Sequence, residues 1–331
     1  MRYFVTGAAG FIGGHLTAAL LADGHQVTGL DDLSTGQMSN LDAATSHPGF
    51  TFTEGTILDH GLVTRLAAGA DVIFHLAAAV GSFVIRDHTL EAMRTNIHGT
   101  ENVVDAALAA GAVLVAASTS EIYGKNTKIG LREDDDRILG SPLRSRWSYA
   151  EAKAIDESLI EATTREKGLQ AVIVRLFNTV GPRQTGRYGM VIPRFTRQAL
   201  AGEPLTVYGT GEQIRCFCHV HDVIPALTGL AATPAAYGLA VNLGSTEQVT
   251  INTLAAKIIT AAGSPSAITH GSYLDAYGPG YEDMQRRVPD CTLATSLTGF
   301  HPTRTLDTII RDVIHDQTAS RNTVAAAVSA S

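Results

Sequence analysis

The sequence is poor in cysteine and in charge. Three cysteines stand among 331 residues, Cys216, Cys218 and Cys291. That is too few for a disulfide framework, and Cys216-x-Cys218 lacks the spacing of a zinc-ligand pair. The chain reads as reduced and cytosolic, with no metal. Charged residues make up 17%, against about 25% in an average domain. Lys+Arg is 25 and Asp+Glu is 32, a net charge of −7, and no long Lys/Arg run occurs. Nucleic acid and anionic membrane surfaces are therefore poor partners. No apolar run approaches the roughly 18 residues that a spanning helix needs. The opening MRYFVTGAAG meets Gly7 too early for a signal-peptide apolar region. No internal repeat is visible.

What is present forms a core. Hydrophobic residues are 45% and mean hydropathy is +0.09, which excludes wholesale disorder. The length suits about two domains or one large α/β unit. Short apolar runs predict strands at 3–6, 26–30, 50–54, 72–76, 113–117 and 171–176. Amphipathic stretches predict helices at 11–22, 91–110 and 148–167, the last stopped by Gly168. Continuous apolar strands separated by helices predict an α/β fold, a doubly wound parallel sheet of the Rossmann type. The expected organisation is a Rossmann domain over 1–178. A smaller lobe follows over 179–317, with some return to the first domain, and then a disordered tail over 318–331.

Gly7-Ala8-Ala9-Gly10-Phe11-Ile12-Gly13 is G-x-x-G-x-x-G between the first strand and the first helix. The first glycine allows the tight turn, the second lets a pyrophosphate approach the backbone, and the third lets helix pack on strand. The second strand runs into Asp31. A carboxylate there accepts both adenosine ribose hydroxyls and repels a 2′-phosphate, which predicts NAD rather than NADP. Its neighbour Asp32 is expected to be solvated.

Tyr149-x-x-x-Lys153 places a phenol and an ammonium on one helix face. The positive charge is expected to lower the phenol pKa and make Tyr149 a general base. Alone, this spacing occurs in many helices. Here Ser118-Thr119-Ser120-Glu121 follows the fifth strand, and the carboxyl end of a strand is where an open sheet places its ligand.

These motifs together resemble the extended short-chain dehydrogenase/reductase family, within it the nucleotide-sugar epimerases, dehydratases and decarboxylases. The resemblance spans 2–314. It includes HLAA at 75–78, Asn96 in NIHGT, RLFNTVGPR at 175–183 and PLTVYGTGEQIRCF at 204–217. It implies that Tyr149 takes a proton from a sugar hydroxyl, that Lys153 holds the nicotinamide ribose, and that Thr119 hydrogen-bonds the reacting oxygen. The implied NAD-binding set is Gly7, Gly10, Phe11, Ile12, Gly13, Asp31, Ile57, Leu76, Ala77, Ala78, Asn96 and Ser118, with Tyr149 and Lys153. The implied nucleotide-sugar set is Asn178, Val191, Val207, Tyr208, Arg215 and Arg287. One departure is Thr56 in Glu54-Gly55-Thr56, where the family often has an Asp that contacts adenine.

Dehydratases of the family carry an acidic Asp where this chain has Ser120, a poor proton donor, so dehydration is disfavoured. Ser118-Thr119-Ser120-Glu121-Ile122-Tyr123-Gly124 resembles the UDP-glucuronate decarboxylases instead. So do RSRWSYAEAK at 144–153, Tyr277-Gly278-Pro279-Gly280-Tyr281, and QRRVPD at 285–290. The resemblance implies oxidation of UDP-glucuronate at C4. Loss of CO2 follows, giving a UDP-4-keto-pentose or UDP-xylose. Glu121 is expected to orient the ring and repel the carboxylate, and Arg287 or Ser120 to anchor it or help protonate C5. The alternative is a 4-epimerase acting on UDP-glucuronate or UDP-glucose. Behind it stand a 4,6-dehydratase and a non-catalytic NAD-sensing protein, which would tend to lose the Tyr/Lys pair. A homodimer through a four-helix bundle is also implied. His219-Val-His221 reads as a structural segment in a strand, Glu133–Asp136 as a solvated loop, and Trp147 as either pocket lining or packing.

Overall fold

Seven short strands pair in parallel in the computed structural model, which describes residues 1–329 except Tyr188 and residues 279–281, with the backbone alone at Ser82 and 323–329. They are β1 (Arg2–Thr6), β2 (Gln26–Asp31), β3 (Phe50–Glu54), β4 (Val72–His75), β5 (Val113–Thr119), β6 (Ala171–Leu176) and β7 (Ala240–Leu243). Their order in the sheet is β7-β6-β5-β4-β1-β2-β3. The chain winds outward from β1 in one direction through β2 and β3, and in the other through β4, β5 and β6. The crevice at that reversal, between β1 and β4, is where such a sheet binds ligands.

The crossover helices follow from the same apolar patterning. They are α1 (Phe11–Ala22), α2 (Thr89–Ala110) and α3 (Ser148–Lys167). Helices α2 and α3 both end on a glycine in the left-handed region, Gly111 and Gly168, where a side chain would be strained. Every residue of β4 is buried, as expected of a strand covered on both faces. Phe74, Val115 and Val174 fill one face of the sheet, and Phe4, Ile73 and Leu114 the other.

The C-terminal part has its own core, formed around Phe195, Val207, Leu254 and Ile309. It also returns to the sheet. Helix α4 (Val220–Ala231) packs into the first core, and β7 adds the edge strand beside β6. Arg183 ties the parts together: its N–H donates to Asp316 at 2.9 Å and its guanidinium donates to the Asn40 carbonyl at 2.8 Å.

Three local expectations are corrected. The last helix, α5 (Leu306–Ser329), continues where a disordered tail was expected from 318. Ile309, Ile310 and Val313 anchor its start in the core, and the alanine-rich continuation has high helix propensity; residues 330 and 331 lie outside the described residues. His221 sits in α4, not in a strand, with the His219 ring capping the helix by accepting from the His221 N–H at 3.0 Å. Glu133 is not merely solvated, because its carboxylate accepts the Asn242 N–H of β7 at 2.8 Å. Among the described residues no helix is long and apolar enough to cross a membrane, and no group of His, Cys, Asp or Glu side chains is set to hold a metal ion.

Candidate active site

A cavity of about 910 Å³ opens at the carboxyl ends of the central strands, between the sheet and the C-terminal part. Its floor begins with the glycine loop. Gly7 has φ +72°, and a Cβ there would stand 2.7 Å from the Ala77 nitrogen. A Cβ on Gly13 would collide with the Gly7 carbonyl oxygen. Only glycine at these two positions lets this backbone pack at the start of α1, whose N-terminal N–H groups favour a phosphate. Phe11, Ile12, Ile57, Leu76, Ala77 and Ala78 complete this wall.

Asp31 ends β2 at the rim of the same wall and is buried. Its Oδ2 accepts the Ala9 N–H at 2.9 Å and its Oδ1 accepts the Leu33 N–H at 2.8 Å. Burial pushes this carboxyl up, and the N–H bonds partly offset that. The Gly10 N–H also faces this carboxylate, and the capacity that remains suits a ribose hydroxyl. A glycine-rich cradle at a helix N-terminus with a carboxylate beside it fits an NAD dinucleotide.

The second half of the cavity is polar. Thr119 ends β5, and its hydroxyl accepts the Glu121 N–H at 3.1 Å, which starts the tight turn Ser120–Tyr123. That turn sends consecutive side chains different ways. Glu121 reaches the cavity, whereas Ser120 is fully buried off its lining, with its hydroxyl unpartnered among the described residues. Ser118 lines the cavity, but its hydroxyl donates to Glu157 at 2.5 Å.

Tyr149 and Lys153 both face the cavity from the first turns of α3. The Lys153 ammonium donates to Asp156 at 3.1 Å, and both side chains are almost wholly buried. This corrects the expected lowering of the phenol. Burial pushes the Tyr149 phenol well above its ordinary range, and the Glu121 and Asp156 carboxylates add to the rise.

Glu121 lies between two guanidiniums. It accepts from Arg146 at 2.7 Å and from Arg287 at 3.2 Å. Burial alone would push its carboxyl up, but the two arginines outweigh that and hold it at about 2. Arg287 also donates to the Asn178 side-chain oxygen, and Arg215 donates to Asp283 at 2.8 Å. Tyr208 and Val191 line the far end, where Arg194 stacks on the Tyr208 ring with its guanidinium carbon 4.8 Å from the centroid.

Two further expected contacts fall outside the cavity. Val207 is fully buried in the C-terminal core, because strand alternation points it away from the face that Tyr208 shares. Asn96 accepts the Ala79 N–H at 2.7 Å and donates to the Ala79 carbonyl at 3.1 Å. It holds the loop after β4 rather than lining the cavity. Trp147 is fully buried, and its ring nitrogen donates to Glu282 at 3.2 Å, so it packs. Pro279, Gly280 and Tyr281 of the quoted motif lie outside the described residues. Sequence reasoning gave no role to Arg146, Asp156, Arg194 or Asp283. Arg146 was within reach, standing three residues before Tyr149 at the entry to the same helix.

The comparisons with known proteins agree with this arrangement. Residues 3–244 match the model of the family described as "NAD dependent epimerase/dehydratase family". A UDP-N-acetyl-alpha-D-glucosaminuronate decarboxylase of Bacillus cytotoxicus is 39% identical over 91% of this chain and 92% of its own length. UDP-glucuronic acid decarboxylase 1 of Xenopus tropicalis is 34% identical, over 95% of this chain and 71% of its own. The crystal structure of a UDP-glucuronic acid 4-epimerase from Bacillus cereus, in complex with UDP-glucuronic acid and NAD, superposes with a TM-score of 0.86. It is 26% identical and covers 97% of this chain and 100% of that one. With the glycine cradle, the Tyr149/Lys153 pair and a match across most of its length, this chain belongs to the NAD-dependent epimerase/dehydratase family of extended short-chain dehydrogenases/reductases.

Proposed function

We propose that the protein oxidises C4 of UDP-glucuronate and removes its C5 carboxylate as CO2. One observation carries the reading: a single carboxylate, Glu121, faces two guanidiniums, Arg146 and Arg287. The cluster keeps one positive charge in excess beside Tyr149. A sugar carboxylate is drawn to such a site, whereas a neutral hexose gains nothing from it. The excess also revises the expected role of Glu121. It orients the two arginines, and simple repulsion of the substrate carboxylate is outweighed.

NAD, when bound, supplies the acceptor for the C4 hydride. Tyr149 takes the C4 hydroxyl proton, and Thr119 hydrogen-bonds the same oxygen. The C5 carboxylate then belongs to a β-keto acid. Its bond to C5 breaks, CO2 leaves, and the electron pair becomes an enolate whose oxygen Thr119 and Tyr149 stabilise. C5 takes up a proton from solvent water, giving the UDP-4-keto-pentose. Were the hydride returned to C4, Tyr149 would give back its proton to the C4 oxygen, and the product would be UDP-xylose. Arg287 anchors the carboxylate before it leaves. Ser120, off the cavity, has no direct part in this reading. Arg215 and Asn178 hold the nucleotide diphosphate and sugar.

A second reading has one observation in its favour. The Bacillus cytotoxicus relative is named for a uronate bearing an N-acetyl group, so the substrate here is either the 2-hydroxy or the 2-acetamido sugar. The test is incubation with NAD and each UDP-uronate, followed by mass spectrometry. Loss of CO2 from one of them supports decarboxylation and names the sugar. Unchanged mass with a new C4 isomer would establish the 4-epimerase instead.

The assembly belongs to the same reading. Helices α2 and α3 lie side by side, and Ile155 is 48% exposed on α3. A second copy covering this face makes the four-helix homodimer. The three free cysteines suit a reducing cytoplasm.

A further inference from the structure

Arg194 stands at the far end of the cavity, and the chemistry above gives it no role. It belongs to the helix Val191–Ala201, against which the strand Leu205–Tyr208 lies. Its guanidinium donates to the Thr206 carbonyl at 2.9 Å. The guanidinium carbon lies 4.8 Å from the Tyr208 ring centroid and 4.9 Å from that of Phe195. These contacts hold the side chain on the cavity wall. None of them brings a negative charge. The rings attract a cation through their quadrupoles, yet they leave its charge uncancelled.

Four other guanidiniums of the cavity each face a carboxylate. Arg86 donates to Asp87 at 2.6 Å, Arg146 and Arg287 share Glu121, and Arg215 donates to Asp283 at 2.8 Å. Arg183 spends its donors on the Asn40 carbonyl and the His15 ring. Arg194 forms no ion pair among the described residues; the titratable groups it feels are Tyr208, Tyr277 and Arg197. The residues outside the described set, Tyr188 and 279–281 among them, include no Asp or Glu. Burial accordingly pushes this guanidinium below its ordinary range. Arg175, which pairs with Glu157, is pushed the other way. A half-buried cation is thus kept in the cavity wall without a counterion, an arrangement that costs free energy until an anion meets it.

We propose that Arg194 is a substrate-binding residue that meets the diphosphate of the UDP sugar, alongside Arg215. The order of groups in the cavity supports this. Glu121, Arg146 and Arg287 occupy the corner beside Tyr149, where the sugar reacts. The Arg287 N–H donates to the Ile214 carbonyl at 3.3 Å, which sets Arg215 next to that corner. Gln213 donates to the Tyr208 carbonyl at 3.2 Å, which continues the wall to Tyr208 and Arg194. A UDP sugar laid outward from Tyr149 presents its diphosphate after the sugar. Arg215 paired with Asp283 offers the phosphates little net charge, and Arg194 supplies what is missing. Its planar fork suits two phosphate oxygens at once. The inference rests on the nucleotide-sugar reading and deepens it, by naming a residue that selects for the diphosphate over the nucleoside.

The experiment measures binding of UDP by calorimetry, and of uridine by ligand-observed NMR, to the NAD-loaded protein. Arg194→Gln removes the charge and keeps a donor for Thr206. UDP affinity is expected to fall at least about tenfold, and uridine affinity by less than about twofold. Arg194→Lys keeps the charge and should hold UDP within about threefold of wild type. Equal weakening of UDP and uridine would make Arg194 a brace for the Tyr208 ring and overturn the proposal. Unchanged UDP affinity in Arg194→Gln would overturn it too. A lysine variant as weak as the glutamine one would show that the charge is not what binds, and counts equally against it. Should Arg194→Gln not fold, Arg194→Met keeps the stem and removes the charge, and the same split between UDP and uridine is required. None of these readouts uses CO2 release. A protein that holds UDP through Arg194 and decarboxylates no UDP-uronate would keep this inference and lose the reading of the reaction.

Discussion

Arg287 and Glu121 stand 166 residues apart in the chain, yet the guanidinium donates to the carboxylate at 3.2 Å in the cavity wall. The contact joins the turn after β5 to the C-terminal part. It fixes the charged corner of the site against Tyr149, and Arg146 closes it from the entry of α3.

Removing the Glu121 charge should therefore damage chemistry more than binding. Glu121→Gln leaves two guanidiniums without their shared partner, and they are expected to misplace the sugar carboxylate. We expect kcat to fall about a hundredfold with KM changed by less than about threefold. Steady-state rates of CO2 release measure both, and wild-type kcat in the variant would reduce Glu121 to packing.

The same pair makes a pH prediction. The Glu121 carboxyl is held at about 2 in the folded protein, below the ordinary value of about 4.3. A depressed carboxyl stabilises the fold above its unfolded pKa and loses that contribution as pH falls toward the folded value. The stability gap between wild type and Glu121→Gln should thus be complete at neutral pH. It should close as pH drops from about 4 toward 2. Thermal unfolding across that range checks it; a gap independent of pH contradicts the ionic origin.

Tyr149→Phe should keep NAD affinity and lose turnover by about a thousandfold, because it removes only the proton acceptor. Calorimetric NAD binding beside the decarboxylation assay separates the two effects. Retained turnover would assign the base elsewhere.

Asp31→Ala combines two losses. The carboxylate accepts the Ala9 and Leu33 N–H groups as well as facing the ribose site. NAD affinity should fall about tenfold and stability by about 2 kcal/mol, while rejection of NADP relaxes. An unchanged NAD/NADP preference would sink the carboxylate argument.

Wild type should be dimeric by light scattering, and Ile155→Glu should shift it to monomer by placing a charge in an apolar interface. A monomeric wild type would remove the four-helix homodimer.

Much of this protein was legible in order of residues because the relevant physics is local. The period of the apolar runs located six of the seven strands of the sheet, and the glycine spacing located the cradle before α1. Tyr149 and Lys153 share a face because a helix has 3.6 residues per turn. The seventh strand, β7, was missed because the chain leaves the sheet after β6 and returns to pair with it only at Ala240, past segments of the C-terminal part.

The rest needed the fold. Ser120 and Glu121 are neighbours in sequence, and a single tight turn decides that one faces the cavity and the other does not. Val207 and Tyr208 part company for the same kind of reason, through strand alternation. Asn96 was expected at the cofactor and holds the loop beside it. The sequence by itself determined the fold class, the glycine loop before α1 and the shared helix face of Tyr149 and Lys153, since each depends on residues a few positions apart. Only tertiary structure decided the charge state around that tyrosine. Arg287 is brought to Glu121 across most of the chain, and burial in a shared dry interior turns Asp156 from one more helix acid into the partner of Lys153. Electrostatic effects depend on distance and on exclusion of water, and neither is written in residue order.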